Sequence, residues 1–315
     1  MFKSLFGLKS SSAPDTGVQK IASGVEQSIL SAVGARSIPP MASAAQKAFQ
    51  LATDPKADAR DFIEVIESDE GLSARVIKIA NSVYFDRGKK SSTIEESVVV
   101  IGINELRSLL NATTLSEIFP SRHSARPQLW THNLGTAIIA KALARRLLPA
   151  RAELAFLGGL MHDIGKLLLI QKASDDYTTI MKKVEQDGID FCTAEEEVFP
   201  FNHTQVGQLI GQRWNFSPEL LSIIGRHHES WERITPVAGS VTLPAIIKAA
   251  DTVCHALGIG HTRGFHRLKN RATEELASAW QALGIPEADR AGILKDLQKT
   301  YELEHELYAS AGDSR

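Results

Sequence analysis

The sequence predicts an all-α fold, and three observations carry that reading. Apolar residues recur at helical spacing along most of the chain, and many of these stretches open on Ser, Thr, Asp or Asn caps. No stretch shows the strict alternation of a half-buried strand. The β-branched cluster Val98-Val99-Val100 allows a strand at one place, but no alternation supports it.

Taken in order, Met1–Leu8 places Phe2, Leu5 and Phe6 at helical spacing and reads as a frayed terminus rather than a membrane anchor. Ser10–Pro14 is a linker, Val18–Val33 a first amphipathic helix, and Ser37–Met41 (SIPPM) extended and proline-stiffened. Helices follow over Ala42–Ala52, closed by Asp54-Pro55, over Arg60–Glu67 behind the cap Asp58, and from Gly71 to Asn81. Thr93 caps Glu95–Ile101, Gly102 breaks it, and Asn104 caps Glu105–Ile118. Pro120–Pro127 is a polar connection and the best internal boundary. Beyond it come Leu129–Leu148, a central helix, Thr178–Gln186, His203–Trp214 and a helix capped by Ser217 with Pro218 in its first turn. Leu243–Leu257 is next, His261–Lys269 is basic and irregular, and Thr273–Leu283 and Glu287–Tyr308 complete the chain.

The central helix, Ala152–Lys172, organises the rest. On a helical wheel one sector collects Ala155, Gly158, Gly159, His162, Asp163 and Lys166, and the opposite one collects Leu157, Leu160, Met161, Ile164, Leu167 and Leu168. Glycine inside a helix costs roughly 1 kcal/mol relative to Ala, so the pair Gly158-Gly159 asks for a close neighbour, either a crossing helix or a ligand.

Composition narrows the function. The chain has 315 residues, 43% of them hydrophobic, enough for a sizeable core. A net charge of −2 without a Lys/Arg block argues against nucleic-acid binding. Two cysteines, Cys192 and Cys254, fit neither a thiolate metal motif nor a disulfide framework and suit a cytoplasmic protein. No apolar run approaches a membrane span, and no signal peptide is visible.

Imidazoles and carboxylates then line up on the helices: His132, His162-Asp163, His203, His227-His228 and Asp251, the last inside the apolar run IIKAADTV. A buried carboxylate needs a partner. Five imidazoles and two carboxylates suit borderline divalent ions, with iron or manganese favoured and zinc a further option. Seven ligands exceed the needs of one ion, so the economical arrangement is two divalent metal ions bridged by Asp163. His132, His162, Asp163 and Asp251 would surround one; His203, His227, His228 and Asp163 the other. Asp163 and Lys166 are the catalytic candidates, with Lys166 placed as a point charge over a phosphate.

The order His…His-Asp…His…His-His…Asp is similar to the HD superfamily of metal-dependent phosphohydrolases, and HDIGK at His162–Lys166 resembles a stretch of its HD-GYP phosphodiesterases. SIPPM, LSARVIKIANSVYF, EESVVVIGINELRSLL, WTHNLGTA, FNHTQVGQLIGQRW and IIGRHHES resemble landmarks of the HDOD family of bacterial signalling proteins, from about Ser37 to Leu257. The resemblance implies an N-terminal helical subdomain packed on an HD-like subdomain. The division expected is a tail at 1–17, an N-terminal helical half at 18–120, a metal-site half at 121–260 and a helical extension at 261–315.

Two departures bear on activity. No Gly-Tyr-Pro follows His227-His228, and Gln128 stands where HD-GYP enzymes with a third metal place a Glu. Asn81 and Tyr84 read equally as a contact at the subdomain junction and as ordinary helix termination. His123, His255, His261, His266 and His305 fit no ligand position. The leading function is a regulator that binds a small phosphorylated ligand or nucleotide and acts on a signalling protein partner. The alternative is an active metal-dependent phosphohydrolase or phosphodiesterase. The C-terminal helix packs on its own domain by default, with a homodimer seam as the other option.

Overall fold

A computed structural model of the chain describes residues 21–34, 38, 40–41, 46–47, 49–51, 54, 56–85, 88, 90–235, 240–261 and 263–312. The expected terminal tail, its linker, two residues of SIPPM and most of helix Ala42–Ala52 lie outside these. The fold is all-α: among the described residues there is no strand, and sixteen α-helices run in chain order. The first five are α1 (Ser23–Val33), α2 (Ala59–Glu67), α3 (Glu70–Ala80), α4 (Ile94–Ile101) and α5 (Ile103–Glu117). Then follow α6 (Arg126–Leu147), α7 (Ala152–Met161), α8 (Ile164–Lys172), α9 (Ser174–Asp187), α10 (Phe191–Glu196) and α11 (His203–Arg213). The last are α12 (Pro218–Arg226), α13 (Trp231–Ile234), α14 (Leu243–Leu257), α15 (His266–Ala282) and α16 (Glu287–Gly312).

The caps that set these boundaries are largely those read from the sequence. Asp58 and Asp61 form a reciprocal capping box on α2, and Thr93 and Ser217 accept from the backbone at the starts of α4 and α12. Asn202 and Gln205 form a second box at α11, which fixes His203 as its first residue. Three expectations are corrected. Asn104 caps nothing, because α5 already starts at Ile103 behind Gly102. The stretch expected to be irregular, His261–Lys269, contains a 3-10 turn at Arg263–Phe265 and the first turn of α15. Arg126 and Pro127, assigned to a connection, open α6, where a proline in the first turn forfeits no internal hydrogen bond.

The central helix is also corrected: it is two helices. α7 ends at Met161, His162 and Asp163 turn, and α8 begins at Ile164. Both are largely buried, including the glycine sector, with Glu153, Leu154 and Gln171 half-buried and Lys172 exposed. Gly159 is the reason α7 can press on α6: a Cβ there would sit 2.7 Å from Ala137 Cα and 2.8 Å from Thr136 O. Gly165 does the same for α8 and α11, since its Cβ would fall 2.0 Å from the His203 carbonyl oxygen. The expected crossing helix is therefore present, twice.

One continuous apolar core runs through the molecule, from Phe62 and Leu106 to Ile138, Leu168, Ile247 and Tyr308. Lys141 is buried within it at 1% exposure, a costly position for an ammonium unless fully paired. Its Nζ lies 2.8 Å from Ser108 Oγ and 3.3 Å from both Glu105 and Glu153 carboxylates. Tyr308 of α16 donates to Glu105 as well, so α5, α6, α7 and α16 share one polar knot. Among the described residues no helix is long and apolar enough to cross a membrane.

Candidate metal centre

The break between α7 and α8 positions the site. Because the chain turns at His162-Asp163, the Asp163 carboxylate projects into the space between α6, α11, the end of α12 and α14 rather than along one helix face. Asp163 is fully buried. Its Oδ1 lies 3.2 Å from His203 Nε2 and 3.7 Å from His227 Nε2; its Oδ2 lies 3.5 Å from His162 Nε2 and 4.0 Å from His132 Nε2. Asp251, reaching in from α14, places Oδ1 2.9 Å from His132 Nε2 and 3.8 Å from His162 Nε2. The seven residues singled out in the sequence thus converge. Two groups share Asp163: one with His132 and His162, the other with His203, His227 and His228.

The outer nitrogens of four of these rings, His132, His162, His203 and His227, lie against oxygen acceptors. His162 Nδ1 donates to Gly159 O at 2.6 Å and His227 Nδ1 donates to Ile224 O at 2.9 Å, each to the carbonyl three residues earlier. A carbonyl only accepts, so in these two rings Nδ1 carries the hydrogen and Nε2 keeps its lone pair. Both lone pairs face Asp163. His162 Nε2, Asp163 Oδ1 and His228 Nε2 are buried without a hydrogen-bond partner.

Electrostatics separate the rings. Burial pushes the imidazolium forms of His132 and His227 down to about 4, and His228 well below the ordinary histidine value, where the neighbouring His227 adds to the effect. His203 goes the other way. Burial opposes its charge, but Glu195, with Oε2 2.7 Å from His203 Nδ1, holds the ring's proton well above the usual range. Burial also opposes the charge of both carboxylates, yet His162, Lys166 and His203 hold Asp163, and His255 and His132 hold Asp251, well below the usual carboxylate range.

Lys166 stands one turn beyond Asp163, with Nζ 2.7 Å from its Oδ2 and 4.3 Å from the Phe191 ring centroid. It is 3% exposed, so its ammonium is buried together with the carboxylate it pairs with. It does line a narrow, largely apolar cavity with His132, Asp163, Tyr177, Phe191 and His261. A second cavity, also lined by Phe191, brings His228 and Asp251 together with Lys248, Arg271 and Glu275.

Three participants escaped the sequence reading. Glu195 is fully buried and accepts from both the backbone and the ring of His203. His255 Nε2 lies 3.1 Å from Asp251 Oδ1, and His255 Nδ1 meets His261 Nε2. The signal for His255 was available, because it follows Asp251 by four residues on one helix. Nothing in the run Glu195-Glu196-Glu197 marks the first as the buried one.

Among known proteins, the family model of the HDOD domain matches residues 38–230. An uncharacterized protein of Treponema pallidum (strain Nichols) is 24% identical over 177 residues, which are 56% of this chain and 34% of that protein, so the chain spans about a third of that relative's length. The fold is similar to that of an HDOD domain protein of unknown function from Geobacter sulfurreducens, with a TM-score of 0.68 and 24% identity over 91% of this chain and 98% of that one. A protein from Shewanella amazonensis SB2B described as a candidate phosphohydrolase gives the same TM-score of 0.68 and 24% identity, over 90% and 98% of the two chains. A candidate signal transduction protein from Marinobacter aquaeolei VT8 gives 0.67 at 18% identity, over 87% and 60%. The family model covers more than half of the sequence, and the chain belongs to the HDOD domain family.

Proposed function

We propose that this HDOD protein holds two divalent metal ions at the Asp163 cluster, binds a small phosphorylated ligand or nucleotide beside them, and regulates a signalling partner. One observation carries the reading. His162 Nε2, His228 Nε2 and Asp163 Oδ1 are buried without a hydrogen-bond partner, and His162 Nε2 stands 3.5 Å from the acceptor-only Asp163 carboxylate. Unsatisfied polar atoms in a dry interior are costly. A cation between them satisfies every one.

The residues fit such ions. His132, His162, Asp163 and Asp251 would hold one, and His203, His227, His228 and Asp163 the other. The donors are imidazole and carboxylate, which favours iron or manganese, with zinc a further option. Cys192 does not alter this, since its sulfur lies 3.9 Å from the His203 nitrogen that Glu195 already occupies. Bound there, the ions would supply Lewis-acid polarisation of a phosphoryl oxygen and activation of a water.

The chain's own groups do the rest. Asp163 and Glu195 fix the His203 ring between two carboxylates. Lys166 offsets the charge of Asp163 and stands at the cavity wall, where a phosphate would meet its ammonium. Phe191 and Tyr177 close the apolar side and restrict water. The absence of Gly-Tyr-Pro and the presence of Gln128 support binding and regulation over turnover of a cyclic dinucleotide. The alternative, an active phosphohydrolase or phosphodiesterase, is favoured by the complete set of seven candidate ligands. A cytoplasmic setting suits the two thiols and a site of oxidisable metal.

Metal analysis of purified protein tests the first claim: about two equivalents are expected after anaerobic iron or manganese loading. Well under one equivalent would end it. A panel of phosphomonoesters, nucleotides and phosphodiesters then separates the two functions, because turnover abolished by Asp163→Asn would establish the enzyme.

A further inference from the structure

His255 and His261 border the cluster without belonging to either group of candidate ligands that shares Asp163. The His255 and His132 rings stack, with centroids 4.5 Å apart and planes 25° apart. Both present Nε2 to the same oxygen, Asp251 Oδ1, at 3.1 and 2.9 Å. The far nitrogen of His255, Nδ1, lies 2.5 Å from His261 Nε2. These contacts fix a direction. An ionised carboxylate only accepts, so His255 Nε2 carries the hydrogen and donates it to Asp251. A neutral imidazole has one N–H, so in the neutral form of His255 Nδ1 is bare and accepts from His261 Nε2. The hydrogen bonds run from His261 through His255 to Asp251.

The turn carrying His261 is built against the same helix that carries His132. Ile259 O lies 3.4 Å from His132 Nδ1. Gly260, between Ile259 and His261, has φ +73°, and a Cβ there would sit 2.6 Å from His132 N and 2.5 Å from Gln128 O. Only glycine allows this approach. His261 is thereby delivered to His255 by backbone packing, not by a loose surface loop.

We propose that His261 and His255 form an orienting chain that holds the Asp251 carboxylate toward His132 and His162, which makes His261 a positioning residue for that half of the centre. Its metal consequence rests on the dinuclear reading; its tautomers do not. In metal sites a group that orients a ligand commonly governs affinity by roughly 10–100-fold without touching the ion. His261 is such a group at two removes.

The test uses the full chain in two measurements. In the first, protein with ¹⁵N-labelled histidine is examined metal-free by long-range ¹H–¹⁵N correlation. His255 and His261 should each show a single Nε2–H tautomer. His261→Ala should leave His255 in a mixture, and His261→Gln, whose amide can donate in the same place, should restore one tautomer. His255 found as Nδ1–H, or doubly protonated at neutral pH, would overturn the chain. In the second, manganese-loaded protein is titrated with a chelator. His261→Ala should weaken one of the two ions by roughly 10–100-fold, leave the other unchanged, and be rescued by His261→Gln. Two unaltered affinities would overturn the proposal while leaving the dinuclear reading intact. A wild-type protein that takes no manganese would instead remove the dinuclear reading, and the tautomers alone would then decide the chain.

Discussion

Lys166 and Asp163 are a buried ion pair, Nζ to Oδ2 2.7 Å, set inside a cluster that otherwise offers Asp163 mostly imidazoles. Asp163 is fully buried and Lys166 is 3% exposed. Removing the ammonium leaves a carboxylate in a dry site. Lys166→Met should therefore destabilise the metal-free protein by about 3–5 kcal/mol, the usual cost of breaking a buried pair. Metal loading should recover much of that, because the ions replace the lost cation. Urea unfolding of apo and loaded protein measures both; equal and small losses in the two states would show that the pair is dispensable.

Stability of the metal-free protein should fall on acidification between about 6.5 and 4. His132 and His227 have folded values depressed to about 4, against about 6.5 when unfolded. In that window the unfolded chain binds more protons, so each ring's contribution is complete above 6.5 and is lost as pH falls, at about 1.4 kcal/mol per pH unit. The depressed carboxylates Asp163 and Asp251 extend the same trend at lower pH, while His203, raised by Glu195, acts with the opposite sign only above about 6.5, where its contribution is lost as pH rises. Denaturant midpoints across pH check the sign.

Metal uptake should release a proton from His203. In the metal-free protein this ring lies between Glu195, at 2.7 Å, and Asp163, at 3.2 Å, and is held protonated by the first. A ligating nitrogen must give up its hydrogen. Calorimetry in buffers of different ionisation enthalpy should report about one proton per loaded centre. In Glu195→Gln the release should shrink, with metal affinity down by roughly 10–100-fold.

Part of this candidate site was legible in the sequence because several of its residues sit at helix ends that announce themselves. Asn202 caps the helix that starts with His203, and Ser217-Pro218 starts the helix whose end is His227. What could not be read was any contact made across helices. The break at His162-Asp163 has no proline or local stop in the sequence, and it adjoins the close crossing of α11 at Gly165. Glu195 is one of three adjacent acids, and only the fold decides which is buried. The spacing of Asp251 and His255 was readable, yet its meaning depends on His261, which arrives from beyond Gly258 and Gly260.

The two glycines of α7 should differ in tolerance. At Gly158 an added methyl meets Ile223 Cδ1 at 2.8 Å, the far end of a side chain that can turn aside. At Gly159 it meets the backbone of Ala137 at 2.7 Å, which cannot. Gly158→Ala should be near neutral, as a gain of about 1 kcal/mol in helix propensity offsets the crowding. Gly159→Ala should cost about 1–3 kcal/mol net. Thermal unfolding of the two variants gives the comparison, and equal costs would contradict the packing.

Cyclic di-GMP should not be turned over at a useful rate. The paired histidines His227-His228 are followed by no Gly-Tyr-Pro, and Gln128, not a carboxylate, lines the cavity beside His132. In-line attack depends on placement, and about 1 Å of error costs on the order of 100-fold. Chromatography of metal-loaded protein with the dinucleotide checks this; turnover that vanishes in Asp163→Asn would reverse the conclusion.

The spacing between Asp163 and His203 is set by a residue that touches neither carboxylate nor ring. Gly165 lets the backbones of α8 and α11 close until a Cβ would overlap the His203 carbonyl oxygen at 2.0 Å. The gauge of the centre is therefore the absence of one methyl group. A chain with every ligand in place but an alanine in place of Gly165 would have to part the two helices by an ångström or so, a large fraction of a metal–ligand bond of about 2.1 Å. An alanine at position 165 would thus disturb the site without replacing any of its candidate ligands.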